Sequence, residues 1–233
     1  MANEEQLRIL EQGVEVWNSW RKENLTLIPY LRDANLSNVK LNNINFSNTN
    51  LDDAVLINSE LQNANLSRAN LNGANLNNAH LCCVNLSNAE LQNAKLNEAN
   101  LSHSNLPGAT LNGATLHNAH LVDVQLNKVK LNNANLSGAD LSRANLCEAT
   151  LIATILYGAN LYRANPTADE FTDVVSVQVA VLMRGNINSG FTDNNTYTLL
   201  DKTVGPLGDL FSRTVITGNY RIANLSMRRA GSN

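Results

Sequence analysis

The chain has 233 residues and a formal net charge of −3, with 43% hydrophobic, 5% aromatic and 16% charged residues. No strip of lysine and arginine with interleaved aromatic side chains is present, so we expect no direct binding of nucleic acid. The sequence has no apolar run of eighteen or more residues and no basic stretch followed by an apolar one at its start. We therefore expect neither a membrane span nor a secretory signal. Three cysteines cannot form a closed disulfide framework, which favours a cytoplasmic protein.

Residues 1–30 are predicted to form an N-terminal helical cap. Asn3 is a good N-cap with Gln6 three residues later, and two acidic residues lie in the first turn, where the helix dipole favours them. The pattern predicts one helix over residues 3–24, with an apolar stripe of Leu7, Leu10, Val14 and Trp17 that is widened by Ile9, Val16 and Trp20. This stripe would plug the open end of the following segment, and the alternative is a docking face for a partner.

From Leu31 to Leu161 a leucine stands at every fifth position, except that Phe46 replaces one of them. A five-residue period suits neither an α-helix, where successive members advance by about 140°, nor a straight strand, where they alternate between faces. Each unit must contain its own bend, which predicts an all-β solenoid with the leucines inside. Small or β-branched residues two positions before the leucines, from Ala34 to Ala164, would fill the space between them.

An amide stands directly before the central residue of every fourth unit. These amides, twenty residues apart, are Asn45, Asn65, Asn85, Asn105, Gln125, Asn145 and Asn165. Stacked amides can hydrogen-bond along a parallel coil. Because asparagine is common at this position throughout the repeat, the column favours four sides per turn without requiring them.

Units such as "ANLSR", "ANLNG" and "ADLSR" resemble the A(D/N)LXX pattern of the pentapeptide-repeat family, and the resemblance covers residues 31–165. It implies a right-handed quadrilateral parallel β-helix. The segment from Glu11 to Asn24 is also similar to a header that precedes such repeats in cyanobacterial members. Most members of the family have no assigned activity, whereas a subset mimics DNA and binds type II topoisomerases.

Residues 166–233 are predicted to be a small C-terminal β element. Strand patterns occur in "DVVSVQVAVLMRG", "NTYTLL" and "SRTVITGNYRI", and loops rich in Asn and Gly separate them. This element either covers the far end of the solenoid or stands apart from it. The order of these strands is similar to the last strands of minor pilins. The long N-terminal pilin helix is missing, so membership of a filament is not implied.

Charge argues against a DNA mimic. Residues 31–165 contain eight basic and nine acidic residues, a net charge of −1, whereas a rod that imitates duplex DNA needs a strong negative field. No phosphate loop, nucleophile motif or pair of carboxylates in a pocket is evident, so we expect neither an enzyme nor a cofactor. The leading hypothesis is a non-enzymatic scaffold or protein-interaction module with an unknown protein partner, and the alternative is a topoisomerase inhibitor. The oligomeric state stays open, with a dimer through a solenoid end or the C-terminal extension as one option.

With twenty residues per turn, one outward column is chemically diverse. It consists of Asn43, Asn63, Cys83, His103, Asp123, Arg143 and Arg163. Cys83, His103 and Asp123 follow the order of a nucleophile, a base and an orienting acid. A soft metal ion is a second option, and its candidate ligands are His80, Cys82, Cys83 and His103. An exposed face does not exclude water, so we interpret these residues as surface residues and assign no catalytic, cofactor or metal site.

Overall fold

The computed structural model describes residues 1–164 and four strands in the remainder of the chain. Two helices come first, α1 (Glu4–Glu11) and α2 (Val14–Glu23). The strands are β1 (Val174–Val177), β2 (Tyr197–Leu199), β3 (Lys202–Val204) and β4 (Tyr220–Ile222). β1 pairs antiparallel with β4, and β2 with β3. β1, β2 and β4 fall within the three predicted strand segments. The position of this element relative to the solenoid lies outside the described residues.

Residues 30–164 wind as a coil with one turn every twenty residues. Parallel bridges join each residue that precedes a core position to the residue twenty places later, from Tyr30 with Asn50 to Asp140 with Asn160. Backbone hydrogen bonds accompany the bridges, and the N–H of Leu51 donates to the carbonyl of Asn70 at 2.7 Å. Four rows of bridges follow one another in each turn, which is the spacing that the amide column predicts.

The interior of the coil is filled by the residues that the five-residue period places there. Leucines from Leu31 to Leu156 are at most 5% exposed, and most alanines between them are fully buried. Val39, in the first turn, is an exception and is 37% exposed. Where serine replaces alanine, a carbonyl satisfies it, as the hydroxyl of Ser104 donates to the carbonyl of Leu81 at 2.7 Å, whereas the buried hydroxyl of Thr49 has no such partner. Burial of each leucine stabilises the coil by roughly 1.5–3 kcal/mol before entropy is counted.

The corners of the coil depend on a left-handed residue. The second residue after each core position has a φ between 55° and 63°, or between 67° and 70° where it is glycine. Asn, Asp and Gly adopt this conformation most readily, which accounts for their abundance at the corners. Gly138 has a further role, because a Cβ there would collide with Oδ1 of Asn118 in the turn below.

The single helix predicted over residues 3–24 is wrong, because the structure has two helices. Gly13 interrupts the pattern with a φ of 109°, a conformation that few other residues adopt. The predicted cap at Asn3 is present, since its Oδ1 accepts the N–H of Gln6 at 3.0 Å. Val16, expected in the apolar stripe, is 40% exposed. Neither helix is long and apolar enough to cross a membrane, a statement that covers the described residues only.

The helices cover the first turn of the coil by replacing the backbone partners that a preceding turn would supply. The indole Nε1 of Trp17 donates to the carbonyl of Asn45 at 2.8 Å, and the side-chain oxygen of Asn18 accepts the N–H of Asn45 at 2.8 Å. Arg21, which is buried, donates to the carbonyls of Ser47 and Leu27 at 2.9 and 2.8 Å. The helices therefore satisfy edge groups on the sides of the first turn that contain Tyr30 and Asn45.

Candidate functional site

The diverse column of the sequence lies along one corner of the coil, which we call the mixed edge (residues 43, 63, 83, 103, 123, 143 and 163). All seven residues occupy the left-handed corner position. Asp123 is the centre of an ion-pair network: Nε of Arg143 donates to its Oδ1 at 2.7 Å, and Nη2 of Arg143 contacts Oδ2. His103 approaches the same carboxylate from the turn below, with Nδ1 3.8 Å from Oδ2.

Asp123 and Arg143 stabilise each other's charged forms. The hydrogen bond from Arg143 lowers the pKa of Asp123 below its ordinary value, and His103 contributes in the same direction. The same hydrogen bond raises the pKa of Arg143. Arg143 is exposed and Asp123 is only half-buried at the surface, so the pair contributes little to stability. Asp123 gives its shorter contacts to Arg143, and it is therefore poorly placed to orient His103 as a base.

The two neighbouring cysteines differ in exposure. Cys83 is exposed on the mixed edge, while Cys82 is half-buried beside it. Burial, with a smaller contribution from Cys83, raises the pKa of the Cys82 thiol. A reactive cysteine needs the opposite shift, because the thiolate is the nucleophile. The described geometry therefore gives no support to thiol chemistry at Cys82.

The candidate metal ligands do not form a site in the described part of the chain. Within residues 1–164, no group of three or more His, Cys, Asp or Glu side chains is arranged to hold a metal ion. His80 instead has its Nδ1 3.4 Å from Nε2 of Gln62. Metal binding by His80, Cys82, Cys83 and His103 stays an untested alternative, and we assign no metal site.

A shallow depression of about 530 Å³ lies next to the row that contains His120. Its lining residues are Asn78, Glu98, Asn118, Ala119, His120, Gly138 and Asp140. Glycine at position 138 leaves room for the side-chain amide of Asn118, which a Cβ there would meet. Because the depression faces solvent broadly, it does not provide the enclosed environment of a typical enzyme site.

The left-handed corners and the polar contacts of the cap are features that the sequence analysis missed. A signal for the corners was present, because Asn, Asp or Gly stands at the second position after most leucines. The residues that depart from this rule on the mixed edge, Cys83, His103, Arg143 and Arg163, would have stood out against it.

The family model for pentapeptide repeats matches eight copies, over residues 30–68, 59–97, 94–133 and 130–165. The chain belongs to the pentapeptide-repeat family. A second family model, for the type IV pilus-assembly protein W, matches residues 154–224. No curated protein sequence matches the chain significantly.

Solved structures of pentapeptide repeat proteins resemble this one. The plasmid-mediated fluoroquinolone resistance protein QnrB1 is 18% identical, with a TM-score of 0.50, over 54% of this chain and 64% of that one. HetL, a protein of the cyanobacterium Nostoc involved in the regulation of heterocyst differentiation, is 30% identical over 62% of this chain and 73% of that one, with a TM-score of 0.31. Rfr23 of the cyanobacterium Cyanothece is 40% identical over 41% of this chain and 58% of that one, with a TM-score of 0.19. The likeness to QnrB1 supports the β-helix fold alone.

Proposed function

We propose that this pentapeptide-repeat protein is a non-enzymatic scaffold that binds a protein partner in the cytoplasm through the outside of a right-handed quadrilateral β-helix. Leucine and small side chains occupy the interior of residues 31–164, so the flat outer faces are what this segment offers to a ligand. Flat, regularly spaced surfaces suit protein partners better than small molecules, which need concave pockets. The mixed edge is the part of this surface on which we place recognition.

We choose the mixed edge because several of its residues are conformationally unfavourable at a left-handed corner. At a left-handed corner, a residue other than Asn, Asp or Gly costs roughly 1 kcal/mol. Four of the seven corners on the mixed edge carry such a residue. In the columns that begin at Asp33 and Asn38, one corner in seven carries a residue other than Asn, Asp or Gly. In the column that begins at Asn48, three corners in six carry such a residue.

The side chains on the mixed edge also differ in chemistry from one turn to the next. A thiol, an imidazole, a carboxylate and two guanidinium groups follow each other at a repeat of about 4.8 Å. The row that begins at Asn45, by contrast, carries amides throughout. Varied charges and hydrogen-bonding groups discriminate between partners, while a uniform amide row does not. Backbone positions in an unfavourable conformation often cluster at functional sites.

The proposal is tested by affinity capture from a lysate of the source organism with full-length protein. In the test variant, His103, Asp123 and Arg143 are all changed to Asn, the residue that the same column carries at Asn43 and Asn63. The control variant, Glu90→Asn with Lys130→Asn, removes two opposite charges from another side. We expect a specific partner to be captured by the parent and the control and lost from the test variant. Equal capture by all three would place recognition elsewhere.

Inhibition of a type II topoisomerase is the alternative function. A net charge of −1 over residues 31–165 gives it little support, since a DNA mimic needs a continuous negative surface. We expect the purified chain to leave DNA supercoiling unchanged at micromolar concentration. Inhibition at that concentration would favour the topoisomerase over the proposed partner.

A further inference from the structure

The last turn of the coil carries an exposed apolar patch. Ile152, Ile155 and Tyr157 are 53%, 39% and 52% exposed. The corresponding residues one turn below, at the same three positions, are polar: Asn132, Asn135 and Ser137. The three residues lie on two successive corners of the coil and on the side between them. Apolar groups that replace polar ones on a surface are typical of a contact site.

The ladder of backbone hydrogen bonds gives a second indication. The N–H groups of Leu131 and Leu136 donate to the carbonyls of Thr150 and Ile155, nineteen residues later, each at 2.8 Å. By the same spacing, the N–H groups of Leu151 and Leu156 would find their acceptors at residues 170 and 175, which belong to the following segment. Backbone donors next to an apolar patch are a template for the addition of that segment.

The following segment of the same chain is the occupant that best fits this surface. The described coil ends at Ala164, seven residues after Tyr157, and 69 residues remain. Seven residues span at most about 25 Å, so the segment begins within reach of the patch and competes as a tethered ligand at roughly millimolar effective concentration. Its first predicted strand has an apolar side, which consists of Val175, Val177, Val179 and Val181.

A second observation joins the last turn to this segment. The match to the type IV pilus-assembly protein W begins at residue 154, inside the coil, and continues to residue 224. The match thus spans the end of the repeat. We propose that Ile152, Ile155 and Tyr157, together with the backbone N–H groups of Leu151 and Leu156, form the docking surface for residues 166–233 of the same chain. The docked segment closes the coil at this end, as the helices do at the other.

Photo-crosslinking of the full-length protein tests the position of the segment. Benzoylphenylalanine replaces Tyr157 in one version and Ile57, in the same column five turns lower, in a control version. We expect irradiation to link position 157 to peptides from residues 166–233 within one chain, and position 57 to none of them. Links from position 157 to a second copy, or no links at all, would overturn the proposal.

Hydrogen–deuterium exchange of full-length variants tests the contribution of the patch. The variant Ile152→Asn, Ile155→Asn, Tyr157→Ser restores the residues of the turn below, which the coil tolerates there. We expect exchange of Val174–Val177 to rise at least tenfold, with residues 31–140 unchanged. The control Val39→Asn removes an exposed apolar side chain from the first turn and should leave Val174–Val177 as in the parent. The proposal fails if the triple variant has no effect, or if Val174–Val177 already exchanges at the unprotected rate in the parent.

Discussion

Trp17 connects the N-terminal helices to the coil, and replacing it should open the first turn. Its side chain is fully buried, its ring packs edge-on against Phe46 at a centroid distance of 5.3 Å, and its Nε1 donates to the carbonyl of Asn45. Loss of a buried tryptophan to alanine costs roughly 3–5 kcal/mol. Trp17→Phe keeps an aromatic ring but removes the donor, which leaves the carbonyl of Asn45 unsatisfied at a cost of about 1–3 kcal/mol. We therefore expect Trp17→Ala to be the more damaging change.

Two measurements check this expectation. In a solenoid each turn contacts its neighbours only, so the free energy is lost locally. Hydrogen–deuterium exchange should accelerate in residues 30–50 of Trp17→Ala and stay as in the parent beyond residue 90. Urea unfolding followed by circular dichroism gives the total loss. Val16→Ala, at an exposed position on the same helix, is the control and should lie within about 0.5 kcal/mol of the parent. The reasoning is wrong if Trp17→Ala costs no more than this control, or if Trp17→Phe costs as much as Trp17→Ala.

Three further changes test the core, the ion pair on the mixed edge and the N-terminal cap. Leu86→Lys places an unpaired charge in the core and should cost several kcal/mol in a thermal melt, whereas Asn88→Lys, at an exposed left-handed corner, should cost only about 1 kcal/mol. Arg143→Gln should raise the pKa of Asp123 in a carbon NMR titration, and an unchanged pKa would contradict the pairing. Because the pairing lowers the pKa of Asp123 in the folded state, its stabilisation is present above the unfolded-state pKa. This stabilisation disappears as the pH falls through the folded-state pKa. Deletion of residues 1–28 should expose the first turn and cause self-association in sizing chromatography, and an elution profile altered only by the lost mass would contradict a capping role.

The core of this fold could be predicted from the sequence because its determinants are local and repeated. The leucine period fixes which side chains point inward, and a spacing of twenty residues fixes which ones stack. Phe46, the exception in the leucine series, is expected with Ile44 to give the predicted helix a broader surface to pack on, and in the structure its ring packs against Trp17. The identity of Trp17 as the contact depends on how the helices approach the coil, and no period in the sequence records it.

The burial of polar residues in the cap could not be predicted for the same reason. Gln6 and Arg21 are 7% and 3% exposed, although both residue types are usually on the surface. Gln6 accepts the N–H of Tyr30 at 2.6 Å, and Arg21 binds carbonyls up to 26 residues away. The break at Gly13 had a local signal, since glycine within a helical pattern weakens it. On the mixed edge the column itself was predictable, while the choice of Arg143 as the partner of Asp123 required side-chain geometry.

The twenty-residue turn also determines how such a surface can change during evolution. Gain or loss of one five-residue unit keeps every later leucine inside, but it rotates all later side chains by a quarter turn around the coil axis. One unit inserted before Leu101 would move Asp123 and Arg143 away from Cys83 and onto the next corner. Duplication of four units would instead lengthen the rod by about 4.8 Å and leave every column in line. Small changes in length can therefore produce new combinations of surface groups on an unchanged core.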